Sequence, residues 1–112
     1  MKIKMEEKYQ AAIIELSGNL VGGENATLFR NKLYDLIEQK KKNMVVDMKD
    51  VKMVNSTGIG ILISGFTTLK NAGGDLKLAN ISDNVKGVLS ITKLSQVFHV
   101  YSSVDEALKS FN

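Results

Sequence analysis

Apolar residues along this chain switch repeatedly between a two-residue and a 3.6-residue period. That alternation restricts the fold more than any other feature. Lys2 to Lys8 alternates, with Ile3 and Met5 on one face, and Ala11 to Leu16 is an isoleucine-rich apolar run. The two read as a hairpin joined near Tyr9-Gln10. Ser17-Gly18-Asn19 ends the second strand, and Gly22-Gly23 makes a turn. A helix is predicted from Glu24 or Asn25 to about Lys41, marked by Leu28, Phe29, Leu33, Leu36 and Ile37. Glu38 and Lys42 are spaced for an i,i+4 ion pair on it. Met44 to Met48 reads as a buried strand and Lys49-Asp50 as a turn. A second helix begins after Asn55-Ser56 and ends near Asn71, stopped by Gly73-Gly74. Asp75 to Ala79 alternates as a strand, Ser82 or Asp83 caps a helix through about Ile91, and Val97 to Tyr101 is a further strand. Ser103 and Glu106 form a capping box for a last helix that packs Val104, Ala107, Leu108 and Phe111. The order β-β-α-β-α-β-α-β-α predicts an α/β fold. It is a small mixed sheet of about five strands with four helices, mostly parallel through right-handed crossovers, with the first strand as an added edge. The short gaps between elements favour a single domain over residues 1–112.

Composition narrows the chemistry. The 112 residues are 44% hydrophobic and 24% charged, which is ordinary globular usage. With no cysteine there is no thiolate nucleophile, disulfide or cysteine metal site, and His99 is the only histidine. A catalytic triad or a histidine metal site would have to use it, yet its alternation with Phe98 and Val100 marks it as a strand position. Gly58-Ile59-Gly60 lacks the third glycine and the lysine of nucleotide-binding loops. Asp47 has no acid cluster beside it to hold a magnesium ion, and with Asp50 it reads as a turn residue. No enzyme activity, cofactor or metal is therefore expected. The net charge of +3 raises nucleic-acid binding, but Arg30 is the only arginine among 15 basic residues. Base reading relies on arginine. The run Lys40-Lys41-Lys42 suits the negative end of a helix. No apolar run is long enough to cross a membrane, and the N-terminus lacks an apolar signal core. The expectation is a cytoplasmic protein that binds neither nucleic acid nor membrane.

The informative stretch is Val54-Asn55-Ser56-Thr57-Gly58-Ile59-Gly60-Ile61-Leu62-Ile63-Ser64-Gly65-Phe66. Ser56 stands where a helix N-cap belongs. Ile59, Leu62, Ile63, Phe66 and Leu69 form a core stripe behind it. The opposite face carries Gly60, Ile61, Ser64, Thr67, Thr68 and Asn71, and no residue from Ser56 to Leu69 is charged. A solvated helix face normally carries charges. This face is either covered by another part of the chain or is a docking surface for another protein. A phosphate on Ser56 would sit where helix N–H groups favour anions, and would place about −1.5 to −2 charge inside a neutral interface.

Asn55-Ser56-Thr57-Gly58-Ile59-Gly60, preceded by Val45-Val46-Asp47-Met48 and Val51, resembles the D-S-[ST]-G-[LI]-G signature of STAS domains, the bacterial anti-sigma-factor antagonists. The resemblance covers essentially the whole chain. It implies a non-catalytic protein that binds a serine kinase acting as an anti-sigma factor, and so releases a sigma factor. It implies phosphorylation by that kinase on Ser56, with Thr57 as second candidate, and reset by a serine phosphatase. Asn55, Ser56, Thr57, Gly58, Gly60, Ile61 and Ser64 then form the partner-binding surface of a monomer or weak dimer. The alternative within the same fold is a scaffold or sensor module of a stressosome-like or lipid-transport complex. The chain departs from the pattern twice. Asn55 replaces the acid before the serine. The G-E-L-D turn is Gly18-Asn19-Leu20-Val21, with no acid at Val21.

Overall fold

The computed structural model describes residues 2–9, 11–21 and 23–111. Five strands form one sheet in the order of the chain: β1 (Lys2–Lys8), β2 (Ala11–Ser17), β3 (Asn43–Asp50), β4 (Asp75–Ala79) and β5 (Val100–Tyr101). β1 is antiparallel to β2, and every later pair is parallel. The helices are α1 (Gly23–Glu38), α2 (Ser56–Asn71), α3 (Asp83–Ile91) and α4 (Val104–Lys109). The α/β order with an added first strand is therefore the one read from the sequence, plus a short 3-10 turn at Leu94–Gln96.

Sequential parallel strands joined by right-handed crossovers place every connecting helix on the same face of the sheet. That face holds the main core, with Phe29, Leu33 and Leu36 of α1, Ile59, Leu62 and Leu69 of α2, and Val85 and Leu89 of α3. They pack on Ile14, Leu16, Val46, Met48, Leu76 and Leu78 of the strands. α4 follows the last strand, is no crossover, and covers the other face with Ala107 and Leu108 against Ala11, Ile13, Val45 and Ala79.

Covering both faces explains the largest departure from the predicted pattern. β4 does not alternate between buried and open positions, because α4 lies over its second face. Lys77 is only 5% exposed there. Its ammonium sits 4.2 Å from the Phe111 ring centre and 5.6 Å from that of Tyr101, and donates to Ser110 Oγ. Ser110 in turn donates to the Ala107 carbonyl. The lysine thus anchors the end of α4 through its charge and its stem.

Other boundaries also moved. α1 ends at Glu38, and Lys40 takes a left-handed φ of 64° just beyond. The Glu38–Lys42 pair does not form among the described residues. Lys41 pairs instead with Glu7, at 2.8 Å. Leu28 is 49% exposed, while Ala26, three residues before Phe29, is buried in its place. Lys49 and Asp50 continue β3 and are not a turn, since Asp50 pairs with Ser17 and accepts from Gly18 N. Asp47 is buried and ties β3 to the end of β4, with its Oδ1 accepting from Asn80 Nδ2 and Lys49 N. β5 keeps only two of the five predicted residues. Phe98 N and Val97 N bond back to the Leu94 carbonyl instead, and Phe98 turns into the core. His99 is exposed. Ser82 caps α3, and Ser103 caps α4 by accepting from Glu106 N. The second half of that capping box is absent, because Glu106 Oε2 accepts from Ser102 Oγ. Tyr9 and Gly23 have positive φ, but Gln10 and Gly22, predicted in the same turns, lie outside the described residues.

Replacing Lys77 with alanine removes a cation and a four-carbon stem from between two rings. Urea denaturation should show a loss of about 1–3 kcal/mol, and amide exchange should accelerate first in α4.

Candidate functional site

The loop between β2 and α1 lies against the loop between β3 and α2. Leu20 N donates to the Met53 carbonyl at 3.0 Å, and Asn55 N donates to the Leu20 carbonyl at 3.2 Å. Asn19 Oδ1 accepts from Lys52 N and Met53 N, both at 3.2 Å. Two parallel neighbouring strands deliver these loops to the same edge of the sheet, so α1 and α2 begin side by side.

The cap of α2 is Asn55, not Ser56. Asn55 has extended backbone angles, φ −116° and ψ −173°, and its Oδ1 accepts from Gly58 N at 3.1 Å. Ser56 is the first helical residue. Asparagine caps as well as serine does, and the three-residue step from Asn55 to Gly58 was the sequence signal for it. The other end of the same amide is also used, as Asn55 Nδ2 donates to the Val21 carbonyl at 2.6 Å. An aspartate could accept from Gly58 but could not donate to Val21. The two departures from the resembled pattern, Asn55 and Val21, are thus in direct contact.

Ser56, relieved of capping, is exposed, and its hydroxyl has no partner among the described residues. Asn55, Thr57, Gly60 and Ser64 are also exposed. Gly58 is not part of that surface. It is buried, and a methyl group on it would collide with the Leu20 carbonyl and lie 2.9 Å from Leu20 Cγ. Glycine there lets the first turn of α2 approach the other loop. Gly60 has open space around it.

The face opposite the core stripe divides in two. One strip, Ser56, Gly60, Thr67 and Asn71, is open to solvent. The other turns toward α1. Ile61 is half-buried and packs on the core edge, and Ser64 Oγ shares a hydrogen bond of 2.8 Å with the Tyr34 hydroxyl of α1. Part of the uncharged face is therefore neutral because the chain covers it. Nothing in the sequence separated these two strips, since Tyr34 is far from Ser64 in the chain.

Farther along the same end of the sheet, a cavity of about 650 Å³ is lined by Lys49, Asn80, Lys86 and Tyr101 among others. Glu15 pairs with Lys49 at 3.2 Å and raises its ammonium above the usual lysine range. Among the described residues no three His, Asp or Glu side chains cluster as metal ligands. No helix of the described residues is long and apolar enough to cross a membrane.

The family model described as STAS domain matches residues 2–107. The anti-sigma-B factor antagonist of Bacillus subtilis (strain 168) is 31% identical over 104 residues, which are 89% of this chain and 92% of that protein. Among solved structures, the Thermotoga maritima protein TM1081 superposes with a TM-score of 0.91 at 22% identity, covering 96% of this chain and 92% of that one. The phosphorylated form of the Bacillus cell fate determinant SpoIIAA gives a TM-score of 0.78 at 18% identity, covering 99% and 100%. The two structural likenesses establish the fold.

Two pairs of substitutions check the assignments. Asn55→Ala removes both cap and bridge and should cost about 1–2 kcal/mol. Ser56→Ala should change stability by less than about 0.5 kcal/mol; urea titration of both variants would reveal a reversed cap. Gly58→Ala should destabilise by about 1–3 kcal/mol through overpacking. Gly60→Ala should stabilise by roughly 0.5–1 kcal/mol, seen as opposite shifts in melting temperature.

Proposed function

Because the chain belongs to the STAS domain family, we propose that it is an anti-sigma factor antagonist switched by phosphorylation of Ser56. Residues 1–112 act as one such domain, in the cytoplasm, as a monomer or weak dimer. The unmodified protein docks a serine kinase that doubles as an anti-sigma factor, and the sigma factor is set free. The docking surface is the exposed start of α2, Asn55, Ser56 and Thr57, with Gly60 of the open strip behind it and, beside that strip, the exposed Ser64 that bonds Tyr34. Ile61 contributes only its outer edge, and Gly58 acts by positioning the turn.

The kinase supplies the chemistry. The γ-phosphorus of ATP bonds to Ser56 Oγ, its bond to the bridging oxygen breaks, and ADP and the hydroxyl proton leave. The new group carries about −1.5 to −2 charge. It is tolerated at the helix start by the free protein. In the complex it must be desolvated against the uncharged strip of α2, so the complex separates. A serine phosphatase restores the hydroxyl.

The observation that carries this reading is the free, exposed Ser56 hydroxyl at the head of an uncharged strip, with Asn55 doing the capping in its stead. A capping serine would hold its oxygen against the backbone. The relative named an anti-sigma-B factor antagonist supports the same reading.

Incubation with the cognate kinase and ATP, followed by peptide mass spectrometry, should place the main label on Ser56. Ser56→Ala should cut total incorporation by about tenfold or more, a rate difference of roughly 1.4 kcal/mol in the barrier. Full labelling of the Ser56→Ala protein would sink the assignment.

A further inference from the structure

The two loops at the head of the sheet extend it by one rung. Leu20 and Val54 form a parallel bridge beyond the ends of β2 and β3. Paired residues of a parallel ladder point to the same side, and their neighbours in the chain point to the other. Leu20 and Val54 are buried in the main core. Asn19 and Val21 of one loop, with Met53 and Asn55 of the other, are therefore turned outward together, and all four are exposed.

The amide side chains of this outward set are used within the chain. Asn19 Oδ1 accepts from Lys52 N and Met53 N. Asn55 accepts from Gly58 N and donates to the Val21 carbonyl. What is left to meet another protein is hydrocarbon and a thioether. Val21 is 43% exposed and Met53 is 53% exposed, and neither joins a core cluster. None of the four residues is charged, and the charged residues nearest to Val21 and Met53 in the chain, Glu24 and Lys52, are opposite in sign. The patch is continuous with the start of α2, because Asn55 belongs to both. The side of α2 toward α1 is taken up within the chain, where Ser64 meets Tyr34 across the seam between the helices.

We propose that Val21 and Met53 are specificity-determining contacts for the partner kinase, which meets them with apolar side chains and no cation. The inference rests on the reading of the start of α2 as the docking surface, and extends that surface onto both loops. The ladder places Val21 beside Asn55, the two positions where this chain lacks an acid of the resembled signature. A partner cation brought there would lose its water and find no opposite charge. Kinases that present one are rejected, while an apolar surface gains by burying the two side chains. The two contribute differently. Val21 is held by the bond at its carbonyl and is presented without further ordering. Met53 is unbranched and adapts to the surface that it meets.

Calorimetric titration of the full chain with the cognate kinase tests this, with a non-hydrolysable ATP analogue in place of ATP so that no phosphate is transferred. Met53→Gln and Val21→Thr keep the side-chain shapes. Each should weaken binding by about fivefold or more, with the melting temperature unchanged. Val21→Asp should weaken it by about tenfold or more. Ile91→Gln and Tyr9→Ser alter apolar side chains that are 85% and 74% exposed elsewhere, and should leave the affinity within about twofold. Wild-type affinity in Met53→Gln and Val21→Thr overturns the proposal, and so does a kinase that fails to bind the unaltered chain. Tighter binding by Val21→Asp would reveal a cation on the partner and overturns it too. Light scattering addresses the other occupant. A dimer that Met53→Gln dissociates, with kinase affinity unchanged, gives the patch to a second copy and overturns the proposal. Binding that depends on Val21 and Met53, with no label on Ser56 when ATP is supplied, would overturn the switch in the proposed function and leave this inference standing.

Discussion

Strands that follow one another in chain order, joined by crossovers of one hand, leave little freedom to the rest of this molecule. All connecting helices must lie on one face. Neighbouring helices must run parallel and start at the same edge. The start of α2 is therefore placed beside the start of α1 by topology, before any side chain is chosen. What the side chains decide is how closely the two edges approach. Gly58 permits contact with the Leu20 backbone, and Asn19 and Asn55 fasten the two loops with amide groups at both ends of the contact.

Asn55 shows how one residue can free another. Its oxygen satisfies an orphan N–H of the helix, and its nitrogen satisfies a carbonyl of the adjoining loop. The adjacent serine, at the first position of α2, then has no capping duty. Stability and reactivity are divided between adjacent residues, so each can change without the other. An acid in place of Asn55 would keep the cap and lose the bridge to the Val21 carbonyl.

Apolar patterning, as alternation, continuous run or helical stripe, was enough to find every β-strand and α-helix. It failed where tertiary contacts supply what the local pattern lacks. Lys77 reads as an outward strand position, yet α4 covers it and two rings accept its charge. Leu28 reads as core, but it is half exposed, and Ala26, three residues before Phe29, is buried instead. The five-residue strand predicted at Val97 shortens because Phe98 fills the core better from a 3-10 turn. At the candidate site, the composition of the helix face was legible and its ownership was not. Charge-free residues served two purposes, contact with α1 and exposure to solvent. Only the partner across the seam, Tyr34, distinguishes them.

The strand order carries a consequence for synthesis as well as for shape. Each strand pairs with the one made just before it, so no pairing waits for a distant segment and loop-closure costs stay modest. The sheet can be laid down from its first edge as the chain emerges. By the time residue 71 has left the ribosome, β1 to β3 and both helices of the seam are available to pack. The surface proposed to meet a partner would then be assembled before the last third of the protein has emerged from the ribosome.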